Sequence, residues 1–555
     1  MISTLKRENF LLLVILGLAL VLRLAGISYG LPLQLHDDEP PFILAALKMM
    51  QLKTVFPVLH SAEFEPILFY LPYASYLYLP FFALYMGGAA VWAFLTGAFP
   101  FLELQNYLLS DLSPFFLIAR FLSVLAGVLT VYLVYEVGRN LFNKSTGLFS
   151  ALLLATSLLH ITMSMGARHW IWLALSIAAV LAILSNQIWS FRRRYMLAAA
   201  VGGIGVGFNI ISLFAAPLMF LYYFCFEKRG WRAFLRDKIT YAAAAIFIVS
   251  AVIPILLYPA GLGFKKDVSV AAAKTLLGAT KSFYEFLWPV AVSEPAILIM
   301  ALFGLVVLIW RRNRFAWLSG LFTVFYILIF YFFFYYAHRF TLGLFPIFAI
   351  LGGHGLAEIF RYSNIKIFKY MVIVFILASS LVVALRLDYL ALRGDSKSLA
   401  REWAEENIAA GEKIAVAAKR MRLVTVEAAL REQVVIDPSS ERKSESAEIS
   451  FAENPHGYKS FHALNLDAVG NEEFYVELAK YLKKNEYDYL IVTPSDLTAQ
   501  RFVNFREATR GAELIVFFGL PQEVYSLTKA QYKGWIGNLF KIREFGPPTA
   551  IYKLK

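Results

Sequence analysis

The chain has 555 residues, 59% of them hydrophobic and 16% charged, with a mean hydropathy of +0.61. Soluble domains run nearer half apolar and a quarter charged, so an ordinary cytosolic enzyme, a disordered chain and a disulfide scaffold are excluded; the single Cys225 allows neither an intrachain disulfide nor a Cys-based metal site. The net charge of +13 needs no nucleic-acid partner: residues 396–555 balance 22 basic against 22 acidic residues, and the whole excess lies in short clusters between the apolar runs of residues 1–395, which is a positive-inside bias.

The first apolar run, 10–29, is long enough for one span. It follows Lys6 and Arg7, which places the N-terminus in the cytoplasm, and it lacks a small-residue cleavage site, so it reads as a retained anchor. The basic clusters at Arg139/Lys144, Arg192 to Arg194, Lys228 to Lys238, Arg311 to Arg314 and Arg361 to Lys369 are all placed inside. Runs 114–137, 146–163 and 169–188 alternate between them. Run 195–226 begins and ends beside inside clusters, so it divides into two crossings with a turn near Asn209. Runs 239–258, 287–310, 315–336, 340–359 and 370–385 complete about eleven spans. The aromatic stretch 66–113 adds none or two, giving eleven to thirteen. The first outer loop is 30–113, the membrane part is 1–395, and the tail 396–555 lies outside.

On this topology the ionisable residues sort to the outer face. His36, Asp37, Asp38 and Glu39 open the first outer loop, and Glu63 and Glu65 lie farther along it. Arg120 sits near the outer end of its span, His160, Arg168 and His169 bracket an outer turn, and His338 and Arg339 precede another. A helix cap before Pro40-Pro41 accounts for one acidic residue well but for three poorly. An interfacial arginine could explain Arg339, and a loop carboxylate could simply pair with Arg120. Charges of both signs at one face suggest a single polar cavity. A carboxylate can deprotonate a hydroxyl, and an arginine fork suits a phosphate. Together they fit glycosyl transfer from a lipid-phosphate sugar, or any other lipid-phosphate chemistry.

Four stretches resemble the integral-membrane glycosyltransferases of the GT-C fold, the protein O-mannosyltransferase and aminoarabinose-transferase families. "LHDDEPPFILAALKMM" resembles their loop-one Asp-Glu motif, with Asp38 and Glu39 in its two positions. "FEPILFYLPYASYL" is similar to the segment after it. "IARFLSVLAGVLTVYLVYEVGRNLF" resembles the Arg-led second span, with Arg120 as its arginine. "AHRFTLGLFPIFAILGGHGL" resembles the late Arg-aromatic-Pro segment, with Arg339, Phe340 and Pro346 matching. The resemblance covers about residues 8–390 and implies a polytopic helical enzyme with Asp38 as general base. There are two departures. "SMGARHWIW" lacks the acidic residue often tied to a metal, which disfavours a divalent ion and leaves Arg168 to neutralise phosphate. Glu65 stands where relatives have a basic residue or His.

The tail reads as a soluble α/β domain. "SKSLAREWAEENIAAG" and "NEEFYVELAKYLKKN" are predicted helices, and "KIAVAA", "QVVID" and "YDYLIVT" predicted strands. "GPPTAIYKLK" is a closing strand, and 438–470 a loop. The expectation is therefore a multi-pass GT-C-type glycosyltransferase of the plasma (inner) membrane, with an extracytoplasmic α/β domain. It would move a hexosyl or pentosyl group from a polyprenyl-phosphate donor to a lipid, glycan or protein acceptor of the cell envelope, with inversion. Asp38 is the base, with Glu39 and Asp37 supporting it. Arg339, Arg168 and His338 hold the phosphate, and Arg120, His169, Glu65 and His36 line the cavity. A transporter or lipid flippase would use the same charges along a path, although no internal repeat of the kind transporters show is visible. A catalytically inactive relative that binds lipid-linked glycan is the remaining alternative.

Overall fold

A computed structural model of the chain describes residues 2–36, 38–64, 73–97, 104, 107–108, 111–227, 230–257, 276–333, 337–362, 366–438, 459–519, 525–526, 531–532 and 535–554. Asp37 and Glu65 therefore lie outside the described residues. The first part is helical and the last third carries the strands, giving an α-helical membrane protein with a C-terminal α/β domain.

Among the described residues, four helices are long and apolar enough to cross a membrane: Tyr73–Thr96, Ser113–Leu141, His338–Arg361 and Val374–Arg393. Two bent pairs raise the number to six, and four shorter apolar helices of 10–17 residues accompany them. The sequence counts eleven to thirteen apolar runs. Among the described residues several of those runs appear as the bent pairs or as the shorter helices Trp170–Ser185, Ile210–Phe226, Lys238–Ile253 and Arg314–Phe330. The run around 146–163 is split into Lys144–Ala155 and Leu158–Met165, bent by 60°, because the Ser157 hydroxyl accepts from the His160 amide. The run 195–226 breaks at Asn209, as expected, where the side chain accepts from the Ile211 amide. The run 287–310 turns by 119° at Glu294, directly before Pro295. Proline is well placed in a first helical turn, and it ends the preceding helix. Within 66–113 the described residues form a helix, Tyr73–Thr96, whose Tyr78 and Phe82 pack against Phe42 and Phe115 of neighbouring helices.

One apolar core runs through the membrane helices and takes in Ile536, Leu539, Ile542 and Phe545 from the C-terminal part. Arg386 fastens that segment by donating to the Leu539 and Ile542 carbonyls at 3.1 and 2.5 Å. Outward, the helices stay apolar: Leu84, Phe94, Val306, Trp317 and Phe375 are exposed. A helix that is apolar on all sides has lipid or protein as its solvent.

The C-terminal sheet has the order β2-β1-β3-β7-β4, from β1 (Lys413–Ala417), β2 (His462–Asn465), β3 (Tyr489–Val492), β4 (Glu513–Phe518) and β7 (Thr549–Lys553). β5 (Tyr525–Ser526) and β6 (Gln531–Tyr532) form a separate pair. β1 is parallel to β2 and β3, while β7 is antiparallel to β3 and β4. Apolar clusters cover both faces of the sheet, as a parallel centre requires. Two expectations are corrected. "QVVID" is not a strand: Gln433 to Ile436 end the helix Glu427–Ile436, because the strong helix formers before it carry helix through an apolar run too short to declare its own period. The supposed loop 438–470 supplies β2.

The Glu294 carboxylate accepts from Ser157 Oγ at 2.8 Å and from the Leu159 amide at 2.6 Å, and so satisfies the start of the second half of the broken helix. Replacing Glu294 with Leu leaves that amide and hydroxyl buried and unpaired. It should cost about 1–3 kcal/mol, seen as a lower thermal midpoint in detergent, whereas Glu294→Gln, which keeps the acceptor oxygen, should unfold close to the wild type.

Candidate active site

The site is built around the chain between the first helix and Pro40–Gln51. Arg120, fully buried on Ser113–Leu141, donates through Nε to Glu39 Oε1 at 3.0 Å and through Nη2 to Oε2 at 2.7 Å. Its Nη1 donates to the Ile27 and Tyr29 carbonyls at 2.6 and 2.9 Å. Glu39 also accepts from the Ala167 amide at 2.7 Å. A Cβ added at Gly166 would lie 2.8 Å from Glu39 Oε1, so only glycine lets this segment come so close. One two-ended fork thus joins the first loop, the Arg120 helix and the turn at 166–168. Such a pair is out of water on both sides, and its geometry and extra hydrogen bonds offset the desolvation.

Asp38 is the next residue. Trp170 Nε1 donates to its Oδ2 at 3.2 Å. Burial alone would push the Asp38 carboxyl up; the charges of His169, Arg339 and Arg168, with the Trp170 hydrogen bond, outweigh it and hold the group below the ordinary carboxylate range. Arg168 donates to His36 Nδ1. The Arg339 guanidinium lies 5.2 Å from the Trp170 ring centre and 5.8 Å from that of Phe340, over a pair of rings themselves 5.1 Å apart. Its Nε is buried with no hydrogen-bond partner among the described residues. The His169 ring packs at a tilt against Trp170 and Phe42, and its carbonyl accepts from Asn209 Nδ2 at 3.3 Å.

Asp38, His36, Arg168, His169 and Arg339, chosen from sequence, therefore come together around Trp170. Glu39 and Arg120 sit beside them but bind each other. His338 is half-buried on the same 3-10 turn as Arg339 and is not among the charges that act on Asp38. Among the described residues no group of three or more His, Cys, Asp or Glu side chains is placed to hold a metal ion.

Three contributors are not evident from sequence. Trp170, at the head of an apolar run, reads as an interfacial aromatic; its position next to Arg168-His169 is the only signal. The other two come from the loop's contacts with the α/β domain. The Tyr29 hydroxyl donates to Asp395 Oδ2 at 2.6 Å, and its ring packs on His36 and Phe545. Arg420, in the loop after β1, donates to the Gln34 carbonyl at 2.8 Å. Breaking the central pair with Glu39→Gln leaves a buried guanidinium uncompensated and should destabilise the protein by about 3–5 kcal/mol; an apolar double replacement, Glu39→Leu with Arg120→Met, should recover part of that loss in denaturation measurements.

Comparison with known proteins gives one family match. Residues 109–258 match the dolichyl-phosphate-mannose-protein mannosyltransferase family. No curated protein matches the chain. Solved structures similar to it include the archaeal oligosaccharyltransferase AglB from Archaeoglobus fulgidus in complex with an inhibitory peptide and a dolichol-phosphate, at 11% identity, 92% of this chain, 73% of that chain and a TM-score of 0.42. Others are ArnT from Cupriavidus metallidurans bound to undecaprenyl phosphate, at 11% identity, 98% of each chain and a TM-score of 0.44, and the arabinofuranosyltransferase AftD from Mycobacteria, at 14% identity, 98% of this chain, 40% of that one and a TM-score of 0.39. The stretch that carries Arg120, Arg168, His169 and Trp170 thus lies within the match to the dolichyl-phosphate-mannose-protein mannosyltransferase family.

Proposed function

We propose that the chain transfers a sugar from a polyprenyl-phosphate donor to an acceptor hydroxyl at the extracytoplasmic face of the plasma membrane, in one inverting displacement. The observation that carries this reading is a carboxylate, Asp38, held below the ordinary range among His169, Arg339 and Arg168, with a buried Arg339 Nε that has no hydrogen-bond partner among the described residues. That set suits a reaction that moves a proton to one side and a phosphate to the other. The family match over 109–258 supports sugar transfer over other lipid-phosphate chemistry.

In the displacement, Asp38 takes the proton of the acceptor hydroxyl. The oxygen attacks the anomeric carbon, and the bond from that carbon to the phosphate oxygen breaks, its electron pair leaving with the phosphate. Arg339 and Arg168 neutralise the charge that grows there, an interaction stronger in the transition state than before it. His338 and His36 flank the two arginines, and Glu39, through Arg120, fixes the loop that carries Asp38. Asp37 is kept as a supporting carboxylate and Glu65 as a cavity residue. The donor sugar, hexosyl or pentosyl, and the acceptor, lipid, glycan or protein, follow from the test below.

Wild type and Asp38→Asn, in matched liposomes, are given a panel of polyprenyl-phosphate sugars and crude envelope acceptors, and release of free polyprenyl phosphate is measured. Release by the wild type should fall about 10²–10⁴-fold in the variant. Equal release by both would sink Asp38 as base, and no release from any donor would sink the transferase reading. Arg339→Gln should cost about 10²–10³-fold. The pH profile gives an independent check. A carboxyl held low stays deprotonated as pH falls, so the acid limb of kcat/KM should lie below the usual carboxylate value of about 3.9. Removing a cation in Arg339→Gln should move that limb upward, toward neutral pH, and an unmoved limb would separate Arg339 from Asp38.

A further inference from the structure

The helices Ala215–Phe226 and Arg314–Phe333 pack side by side. Phe214 stacks with Phe330 at 5.8 Å and meets Tyr326 at a tilt at 4.3 Å, while Phe226 lies with Arg314 and Phe315 around a cavity at the other end. The pair is therefore antiparallel. That end is far from Asp38: Arg339 follows the C-terminal end of Arg314–Phe333, and 20 helical residues span about 30 Å, the thickness of a bilayer's hydrocarbon.

Two cavities lie along this helix pair. The one at the Arg314 end has a volume of 320 Å³ and is lined by Arg311, Arg312, Arg314, Phe142, Phe226 and Asn313, among others. The second, 670 Å³, is almost wholly apolar. It begins about one to two turns farther along the same helices, at Phe220 and Leu221 on one side and Leu321 and Phe325 on the other, with Phe247 and Ile248 closing it. Phe220, Ile248, Leu321 and Phe325 are exposed, so its open side faces lipid.

The charges around the first cavity do not balance. Glu358 is taken by Arg311 at 2.5 Å, Glu227 by Arg194 at 3.0 Å and Glu136 by Arg139 at 2.6 Å. Arg312 and Arg314 are exposed and have no carboxylate partner among the described residues. Positive-inside topology explains why arginines stand at this end. It does not explain a cavity among them with a second, apolar cavity one to two turns farther along the same two helices.

We propose that these two cavities make up a second lipid site, which holds one anionic glycerophospholipid with its phosphate on Arg312 and Arg314 and an acyl chain in the apolar cavity. Two forked guanidiniums suit a phosphate oxygen set, and basic pockets between membrane helices are where anionic headgroups bind. An amphipathic ligand follows from the order of the cavities, charge first and hydrocarbon behind it. A bilayer phospholipid is the occupant because the apolar cavity opens sideways to the membrane, where such lipids are its solvent. The inference is independent of the transfer reaction, and its readout needs no turnover.

The test is native mass spectrometry of the full chain after delipidation and titration with phosphatidylglycerol, phosphatidylcholine, polyprenyl phosphate or inorganic phosphate. One phosphatidylglycerol should remain bound at least about tenfold more strongly than phosphatidylcholine. Arg312→Gln with Arg314→Gln should abolish that preference, while the double Lys replacement should retain most of it; equal thermal midpoints for the two double variants would show that the Gln pair has not simply unfolded the protein. Leu321→Trp, which fills the apolar cavity, should weaken the phospholipid without restoring phosphatidylcholine. The proposal fails if both phospholipids bind alike, if the Gln variant keeps the preference, or if only polyprenyl phosphate or inorganic phosphate is retained.

Discussion

A carboxylate and a guanidinium, both fully out of water, hold the first loop of this protein in place. Glu39 and Arg120 bind through two hydrogen bonds, and Nη1 of Arg120 donates to the Ile27 and Tyr29 carbonyls. The remaining capacity of Glu39 takes the Ala167 amide. Removing either partner would strand a charge in a low-dielectric interior, so the two segments that meet there have little freedom to part. Asp38 precedes one end of this tie and Arg168 follows the other. Their mutual approach is thus set by a neighbouring ion pair.

The arrangement also divides the two acidic neighbours by environment. Glu39 accepts three hydrogen bonds from the protein, two from Arg120 and one from the Ala167 amide. Among the described residues Asp38 takes one hydrogen bond, from an indole, and otherwise answers to charges at longer range. Two adjacent carboxylates are thereby held differently, one inside an ion pair and the other among charges at longer range.

Much of this was legible in the sequence, though unevenly. Ionisable residues are costly beside lipid, so His36, Asp38, Glu39, Arg120, Arg168, His169 and Arg339 stood out by type alone, and the alternation of basic clusters assigned them to one face. Composition likewise separated the tail from the apolar part. Roles were harder to read. That Arg120 meets Glu39 across 81 positions, or that Trp170 is the surface on which Arg339 rests, depends on packing that no local pattern encodes. Bends were read unevenly: the turn at Asn209 was legible as a polar residue between two inside clusters, whereas a window average does not register that Ser157 or Glu294 turns the chain. In the tail, "QVVID" shows a five-residue apolar run taking its conformation from the helix before it, and β2 shows a short buried strand emerging from a polar stretch with no period of its own.

The fastening of Tyr29 to Asp395 and of Gln34 to Arg420 has a consequence in time. These contacts join residues 366 and 386 positions apart. In a chain made from its N-terminus, the loop that carries Asp38 exists long before the strands and turns that will steady it. Contacts this distant in sequence are among the last to form. The membrane helices can gather around Arg120 and Glu39 first, but the loop reaches its final setting only when the last third of the chain has folded against it. Order in the site is therefore a late event in the life of the molecule, and a chain stopped short of its sheet would carry every one of the site's side chains without the frame that steadies their loop.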